Sequence, residues 1–484
     1  MLFNSYIYIL LFLPITLLGY YLLAKRSDLA SKVWLVIASL FFYAYWVPTY
    51  LFLIIGSMIG NYILTTSIIK NRAQHTTRIP PQIILVLGLI FNLGLLGYYK
   101  YADFFITNMN STLGLQVPLL RLLLPLAISF FTFQQIAYLM DVYQGKAQSY
   151  GPLNYALFVT FFPQLIAGPI VHHREMMPQF ANAQNRQFNP ENFSNGIFLF
   201  SLGLFKKVVI ADTFAIWATA GFDQTNTLTF FPAWATSLSY TFQIYFDFSG
   251  YTDMALGSAK LFNIYLPPNF NTPYRADNIQ EFWRRWHMTL SRWLRDYLYI
   301  PLGGNRKGPT RTYINLMLTF LLGGLWHGAG WTFVIWGLLH GVGTSIHKLW
   351  SHSRFQLSAF TGWLATFFFL NITWVFFRAT NCDRAINILQ SMAGFNGFVF
   401  PKQLRSLLAP FDLTHGKLFA GIGNAYEILL ITIIFGTLSI WGKNSLELLK
   451  LYVPNKKWTL ATTCILLYAL NNLDKVSEFL YFNF

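Results

Sequence analysis

The stretch 281–296 reads EFWRRWHMTLSRWLRD, and the interpretation of the whole chain starts from it. Four arginines and one histidine stand among tryptophans, in a chain that is otherwise poor in charge. Read as a helix at about 100° per residue, the stretch has an apolar arc that includes His287 and an opposite arc of charged residues. The apolar arc comprises Trp283, Trp286, Leu290, Trp293 and Leu294, and the charged arc comprises Arg284, Arg285, Arg292, Arg295 and Asp296.

A helix over this stretch would be about 24 Å long at about 1.5 Å per residue. It is too short and too charged to cross the hydrocarbon core, which needs about 20 apolar residues. The pattern therefore predicts one continuous helix at the membrane boundary, with His287 directed into the protein and the arginines directed to phosphates or water. An amphipathic helix that only anchors the chain to lipid headgroups is the alternative.

The composition is that of an integral membrane protein. The 484 residues are 55% hydrophobic and 11% charged, whereas soluble domains carry about 25% charged residues. The apolar runs predict an all-α polytopic protein with roughly ten to twelve transmembrane helices, together with re-entrant or interfacial helices. The runs cover 6–24, 33–47, 49–69, 82–99, 118–140, 153–167, 193–211, 229–246, 312–326, 330–350, 359–377, 425–442 and 458–474.

The net charge of +16 favours contact with anionic partners. Attraction to anionic lipid explains part of the positive charge. Binding of an anionic small molecule, such as a nucleotide-bearing or phosphopantetheine-bearing donor, is compatible with the rest of it. No soluble basic domain is present to bind nucleic acid. The two cysteines, Cys382 and Cys464, lack metal-ligand spacing, so neither a metal site nor a disulfide scaffold is predicted.

One membrane domain spanning 1–484 is the simplest organisation. Within it, 380–424 is the longest piece between apolar runs, and it predicts an extramembrane loop or a small helical cap with a short helix at Cys382–Met392. The chain shows no internal repeat, which weakens a transporter interpretation because many transporters are built from two related halves.

A histidine follows a nearly pure hydrocarbon run in LMLTFLLGGLWHGAG (316–330). Neighbouring glycines allow a backbone or a ligand to approach His327 closely. A neutral imidazole in such a pocket can accept a hydroxyl proton, so His327 is a candidate general base. The alternative is a core histidine that bonds to a neighbouring helix, and we expect that role for His340 and His347.

Other polar groups interrupt the apolar runs. Asp247 in FQIYFDFSGYTD (242–253) must pair with a cation or stay protonated. We expect it to orient a cation of the 281–296 helix, and a direct role at the site is the alternative. The broken helix in FFPQLIAGPIVHH (161–173) predicts a cavity wall, because such breaks at membrane depth lie beside protein or water. Helix packing is the alternative there.

Three segments closely resemble the membrane-bound O-acyltransferase family, in its bacterial branch for alginate, peptidoglycan, cellulose and teichoic acid. They are FDFSGYTDMALG (246–257), NFNTPYRADNIQEFWRRWHMTLSRWLRDYLYIPLGGNRKG (269–308) and LLGGLWHGAGWTFVIWGLLHG (321–341). Three further segments match the same branch. They are PLAISFFTFQQIAYLMDVYQG (125–145), FFPQLIAGPI (161–170) and SEFLYFNF (477–484).

The resemblance implies a ring of helices around a central tunnel that narrows where two histidines meet. It implies that His327 is the essential histidine and His287 the second one. The expected activity is transfer of an acyl group, expected to be acetyl, from a cytoplasmic thioester to a hydroxyl outside a bacterial inner membrane. The donor would be acetyl-CoA or an acyl carrier protein, with no permanently bound cofactor. The acceptor would be a polysaccharide or a periplasmic or extracellular acetyltransferase partner.

These implications assign a role to each candidate residue. His327 would take the hydroxyl proton, and His287 would hold the acyl oxygen or orient the imidazole. The remaining candidates would bind the donor or fix the interfacial helix: Arg284, Arg285, Arg295, Trp286, Trp326 and Asp247. Two alternatives stay open, a proton-coupled transporter or flippase with Asp247, His287 and His327 as relay groups, and a scaffold in which both histidines are dispensable.

Overall fold

The computed structural model describes residues 1–74, 79–406, 413–473 and 479–480. The predicted all-α class is confirmed there, apart from the short strands β1 (Phe400–Pro401) and β2 (His415–Gly416), which pair in parallel. Most of the motif at 477–484 lies outside the described residues.

Helices α1 to α12 form the first half of the chain, and short π-helical or 3₁₀ segments extend several of them. The helices are α1 (Leu13–Ala24), α2 (Asp28–Ala44), α3 (Tyr50–Gln74), α4 (Pro81–Leu96), α5 (Ala102–Leu113), α6 (Ile128–Tyr143), α7 (Pro152–Thr160), α8 (Phe162–Leu165), α9 (His173–Ala181), α10 (Pro190–Phe205), α11 (Asp212–Thr219) and α12 (Phe230–Leu261). The π-helical segments are Ile7–Phe12, Gly97–Tyr101, Lys206–Ala211 and Ala220–Gln224, and the 3₁₀ segment is Ala183–Arg186.

Helices α13 to α21 form the second half. They are α13 (Ile279–Arg285), α14 (Met288–Leu294), α15 (Pro309–His327), α16 (Trp331–Trp350), α17 (Ala359–Arg378), α18 (Cys382–Met392), α19 (Ala425–Trp441), α20 (Ser445–Leu451) and α21 (Lys456–Leu470). A π-helical segment, Arg295–Tyr299, follows α14, and 3₁₀ turns lie at Pro273–Arg275 and Lys402–Leu404. Helix α18 confirms the short helix predicted within 380–424.

Four helical stretches in the described ranges are long and apolar enough to cross a membrane, and a bent pair adds a fifth. They are Ile7–Ala24, Tyr50–Arg72, Pro81–Leu113 and Ala359–Arg378, with Ala425–Trp441 and Ser445–Leu451 as the pair bent by 68°. Several predicted spans are shorter or broken; the run 118–140, for example, becomes helical only from Ile128. The multi-pass character agrees with the sequence, and the count of roughly ten to twelve crossings stays a prediction.

The long helix α12 runs beside α10 with the two backbones in close approach. A Cβ added to Gly203 would lie 2.5 Å from the carbonyl oxygen of Gly250, and a Cβ on Gly257 would lie 2.7 Å from that of Gly196. In lipid the hydrophobic effect does not drive two helices together, so they associate through close van der Waals packing. Small residues at the crossing allow this packing. The four glycines therefore fix α12 against α10.

The two ends of α12 contact different parts of the chain. Near its start, Trp234 Nε1 donates to the carbonyl of Met392, which lies in the 380–424 segment. Just after its end, Asn263 Nδ2 donates to the carbonyl of Asn185. At about 1.5 Å per residue the helix is about 48 Å long. The 380–424 segment and the loop after α9 therefore lie at opposite ends of the protein.

Helices α15 and α16 form a tightly packed hairpin. A Cβ on Gly324 would lie 2.4 Å from the carbonyl oxygen of Phe333, and a Cβ on Gly337 would lie 2.4 Å from that of Phe320. The sequence prediction that glycines near His327 allow close backbone approach is confirmed. The hairpin sets the position of His327, the last residue of α15.

Candidate active site

The segment 281–296 is not one helix, so the prediction of a continuous interfacial helix is wrong. Helix α13 ends at Arg285, and α14 begins at Met288. Between them His287 has a left-handed backbone with φ of 41° and ψ of 54°. The left-handed region costs a residue with a side chain about 1–2 kcal/mol. The surrounding structure must therefore hold this conformation in place.

Hydrogen bonds to a distant segment create this break. Asn271 N donates to the carbonyl of Arg285 at 3.0 Å, and Met288 N donates to the carbonyl of Asn269 at 3.0 Å. The hydroxyl of Thr289 donates to Asn269 Oδ1 at 2.6 Å. These bonds satisfy backbone groups that a helix end leaves without partners. The break is thus a tertiary feature that helical periodicity does not reveal.

The break directs the His287 imidazole into the core. The side chain is 0% exposed, and its ring lies edge-on to Phe248 of α12 with centroids 4.8 Å apart. Its centroid is also 6.3 Å from the Trp326 indole. The inward direction that the sequence predicts for His287 is confirmed, although the backbone reaches it differently.

The His327 imidazole lies in an aromatic cage at the end of α15. The residue is 3% exposed, and its ring centroid is 5.0 Å from that of Trp326, 5.1 Å from Trp336 and 5.2 Å from Phe377. Phe377 is the penultimate residue of α17, and the next residue, Arg378, pairs with Asp223. His327 therefore contacts α17 near the end of that helix from which the chain continues into the 380–424 segment.

Trp326 brings the two candidate histidines together. Both imidazole centroids lie within 6.3 Å of its indole. The Phe133 ring stacks against this indole, with centroids 5.2 Å apart. The same ring stacks on Trp293, with centroids 3.7 Å apart. The structure places His287, Trp326 and His327 in one cluster, and the family resemblance implies that the two histidines meet. Their chemical roles and a continuous tunnel stay predictions.

His340 has the structural role that we expected. Its Nδ1 accepts a hydrogen bond of 3.2 Å from Trp283 Nε1, and the residue is fully buried against Trp336. This bond also links α13 to α16. His347, about two turns further along α16, is half-buried.

A cavity of about 610 Å³, here called the arginine cavity, opens beside the break. Arg284, Arg292 and Arg295 line it, and Met288, next to His287, lines it as well. The side chains of Arg284 and Arg295 are 67% and 61% exposed. The hydrogen bond to Asp296 raises the pKa of Arg295, so this guanidinium stays charged. The cavity therefore brings exposed cations next to Met288, the residue that follows the buried imidazole.

Arg285 and Trp286, two further candidates for donor binding, do not line this cavity. Arg285 Nε donates to Glu281 at 2.7 Å, and its guanidinium also donates to the carbonyl of Asn271, so the side chain fixes the break. Trp286 is 2% exposed and packs against the rings of Phe282 and other core aromatics. Donor contact by Trp286 stays a prediction that these contacts do not favour.

Asp247 pairs with a different cation from the one that we predicted. Its carboxylate lies 2.7 Å from Lys207 Nζ, and the same ammonium lies 2.9 Å from Asp212. The expectation that Asp247 orients a cation of 281–296 is therefore wrong. Both Asp247 and Lys207 are buried, and a buried carboxylate is stable only with such compensation. The group fixes α12 to the segment Lys206–Ala211.

A second cavity of about 590 Å³ adjoins the arginine cavity, and Arg292 lines both. Arg292 forms a bidentate ion pair with Glu175 of α9. The adjacent His172 has its Nδ1 3.1 Å from the hydroxyl of Tyr297, which donates to Asp141 at 3.0 Å. Burial and the Arg292 charge lower the pKa of His172, so its imidazole is neutral near pH 7.

A third cavity, of about 300 Å³, lies beside the aromatic cage and is here called the small cavity. Lys100, Asp103, Gly328 and Phe333 line part of it. Gly328 directly follows His327, so this cavity reaches the cluster from a direction other than that of the arginine cavity. The residue that follows each imidazole in sequence, Met288 or Gly328, thus lines a separate cavity.

Comparison with protein families matches residues 16–382 to the family described as MBOAT, membrane-bound O-acyltransferase family. The chain belongs to this family. The match covers α1 to α17 and therefore both candidate histidines. Membership makes the protein a multi-pass membrane enzyme, an O-acyltransferase, and the family resemblance of the three sequence segments is confirmed.

Individual relatives of this O-acyltransferase are named for cell-envelope polymers. The chain is 47% identical to the peptidoglycan O-acetyltransferase of Helicobacter pylori, over 100% of this chain and 98% of that protein. It is 42% identical to "Probable alginate O-acetylase AlgI" of Pseudomonas putida, over 84% of this chain and 83% of that protein. It is 31% identical to the teichoic acid D-alanyltransferase of Bacillus subtilis, over 42% of this chain and 53% of that protein.

Sequence reasoning did not assign Lys100, Arg292 or Glu175 to the site of this O-acyltransferase. Lys100 directly follows the apolar run 82–99, and an ionisable residue beside a span is a signal that could have identified it. Glu175 gave no such signal, because it lies in a polar stretch of the sequence and not in an apolar run. Its contact with Arg292 joins residues 117 positions apart.

Proposed function

We propose that the protein transfers an acetyl group from a cytoplasmic thioester to a hydroxyl of an extracytoplasmic polysaccharide or of a partner transferase. The observation that supports this most is the cluster of His287 and His327 around Trp326, with separate cavities beside the residues that follow the two histidines. The bacterial relatives and the multi-pass fold support a location in a bacterial inner membrane.

His327 acts as the general base in this proposal. Its imidazole takes the proton from the acceptor hydroxyl as the oxygen attacks the thioester carbonyl carbon. The tetrahedral intermediate then expels the thiolate, which receives the proton from the imidazolium, so an ester and a thiol leave the site. Base assistance of this kind contributes about 10²–10⁴-fold.

His287 stabilises the acyl oxygen in the same step. A neutral imidazole carries one N–H group, which can donate to the oxyanion that forms as the thioester is attacked. Its left-handed backbone and its contact with Phe248 hold the ring in one orientation. This fixed geometry is what electrostatic stabilisation requires, because the donor need not reorganise during the reaction.

The donor enters through the arginine cavity. Arg284 and Arg295 are exposed enough to reach phosphates outside the protein, and Arg292 lies deeper along the same cavity. Guanidinium groups bind phosphate oxygens in bidentate geometry. Acetyl-CoA and an acyl carrier protein both carry a phosphopantetheine arm, and either serves as a co-substrate in this proposal.

The acceptor approaches from the end of the protein that carries the 380–424 segment. The small cavity reaches Gly328, next to the base, and α17 connects the cage to that same end. The relatives named for peptidoglycan and alginate support a polysaccharide acceptor, and a periplasmic or extracellular acetyltransferase is the partner that would relay the acetyl group.

Replacement of His327 tests the proposal. His327→Ala should lower acetyl transfer at least about 100-fold, because general-base help is lost. Purified protein would be given radiolabelled acetyl thioester and polysaccharide, and covalent label on the acceptor would be counted. His347→Ala, which removes a half-buried imidazole from α16, is the matched control and should retain activity.

Wild-type transfer should also lose activity on the acidic side as an imidazole protonates. Full activity of folded His327→Ala would refute the assignment. Label that moves across the membrane without covalent attachment would instead support a carrier. The geometry disfavours that alternative, since the relay carboxylate of Asp247 is already paired with Lys207.

A further inference from the structure

Lys100 contacts the backbone that carries the proposed base. Its Nζ donates to the carbonyl of Trp326 at 2.6 Å, to the hydroxyl of Ser129 at 3.2 Å and to the carbonyl of His327 at 3.3 Å. The lysine lies in the π-helical segment Gly97–Tyr101, inside a stretch that is apolar enough to cross a membrane. An ionisable group at such a position is costly unless it has a specific partner.

The partner of Lys100 is a helix end and not a carboxylate. Within the described ranges, no salt bridge joins Lys100 to an acidic side chain. The nearest acidic residue in sequence, Asp103, uses its two oxygens to accept from the backbone N–H groups of Leu120 and Arg121. The counter-charge is therefore the C-terminus of α15.

A helix C-terminus supplies that counter-charge through its carbonyl groups. The last four carbonyls of a helix lack partners within the helix, and the macrodipole places about −0.5 charge there. Lys100 satisfies two of these carbonyls, and the hydroxyl of Tyr101 donates to a third, that of Leu325, at 2.8 Å. Two consecutive side chains thus hold the end of α15.

We propose that Lys100 is a positioning residue that fixes His327 at the end of α15 and places a positive charge beside its imidazole. This inference rests on the proposed role of His327 as the base. The ammonium fixes the backbone from the side of the small cavity, which it lines together with Gly328. It lies in a different cavity from the one through which the proposed donor enters.

The charge has a consequence that a purely structural lysine would not have. The titratable groups that act on the His327 imidazole are Lys100, His287 and His340, and Lys100 is the one amine among these three. A nearby cation disfavours protonation of an imidazole, so Lys100 keeps the base unprotonated at lower pH. Removing the charge should move the acidic limb of the activity profile to higher pH.

Four variants separate the charge from the hydrogen bonds. Lys100→Met removes both, Lys100→Gln keeps a donor without the charge, and Lys100→Arg keeps the charge. Tyr101→Phe is the matched control, because it removes one neutral hydrogen bond from the same helix end. Each variant would be purified in detergent and its initial rates of acetyl transfer measured from pH 5 to 9, with thermal unfolding as the check on folding.

The expected result is a selective change. Lys100→Met and Lys100→Gln should move the acidic limb up by about one to two pH units, the range that an effective dielectric constant of about 20 gives for charges roughly 6–12 Å apart. Their kcat should fall about tenfold or more while KM for the acetyl donor changes little, because the donor does not contact Lys100. Lys100→Arg and Tyr101→Phe should keep the wild-type limb.

If folded Lys100→Gln loses activity on the acidic side at the same pH as the wild type, the electrostatic part of the inference is overturned. An equal loss of kcat in Tyr101→Phe would overturn the special role of the ammonium and leave only capping of the helix. Neither result would bear on the base itself, which the His327→Ala variant tests. Conversely, an active His327→Ala enzyme would remove the foundation of this inference while leaving the capping contacts intact.

Discussion

Gly324→Ala should separate the α15–α16 hairpin and move the proposed base. The added Cβ would lie 2.4 Å from the carbonyl oxygen of Phe333 and 2.9 Å from Cα of Gly337. Ordinary contacts between heavy atoms lie at about 3.5–4.0 Å, so the helices must part by roughly 1 Å. Backbone atoms cannot rotate away as a side chain can. Overpacking of this kind costs about 1–3 kcal/mol, partly offset by about 1 kcal/mol of helix propensity gained over glycine.

The effect on catalysis should exceed the effect on stability. His327 lies three residues after Gly324, and a misplacement of about 1 Å at a reacting group can cost about 100-fold in rate. We therefore expect kcat to fall about 100-fold while the melting temperature changes by only a few degrees. The assay is acetyl transfer from a radiolabelled thioester by protein purified in detergent, with thermal unfolding followed in parallel.

The neighbouring glycine provides the control. A Cβ on Gly323 would lie 3.3 Å from Leu294 Cδ1, the far end of a flexible side chain. Gly323→Ala should therefore keep activity within a few-fold of the wild type. Wild-type turnover in Gly324→Ala would refute the link between hairpin packing and the position of His327. An equal loss in both variants would show that glycine content, and not the close approach to Phe333, is what the enzyme needs.

Two further predictions concern the break and the buried charges. His287→Gly and His287→Ala should both lower acetyl transfer. In thermal unfolding, His287→Gly should be about 1 kcal/mol more stable than His287→Ala, because glycine adopts φ of 41° without strain. A glycine variant less stable than the alanine variant would contradict the strain argument. Lys207→Met should destabilise the protein by about 3–5 kcal/mol and more than Asp247→Asn does, because it removes the cation that two carboxylates share. Equal melting temperatures of the two variants would show that the group is not the stabilising contact inferred here.

The sequence predicted that His287 points into the protein, but it did not predict the backbone that directs it there. The apolar and charged arcs of 281–296 keep their helical spacing on both sides of His287, and no glycine or proline interrupts them. The break depends on Asn269 and Asn271, which bond to the backbone on either side of it. Periodicity reports which face of a segment is apolar, but not where a second segment replaces the hydrogen bonds of the helix.

The partner of Asp247 shows a second limit of sequence reasoning. The rule that a carboxylate at membrane depth needs a cation is correct here, and Lys207 fulfils it. Lys207 lies in the run 193–211, which reads as apolar despite its two lysines, whereas the arginines of 281–296 are conspicuous. The glycines near His327 were more informative, because close backbone approach is a local consequence of a missing side chain.

Both candidate histidines lie at helix ends inside the protein, and this shared position explains the surrounding polar residues. A buried helix end leaves backbone groups that must find partners. Asn269 supplies them beside His287, and Lys100 supplies them beside His327. An imidazole in the middle of a helix is flanked by the turns before and after it. An imidazole at a helix end can be approached along the helix axis as well, and a reaction in which two substrates meet from opposite sides needs that access.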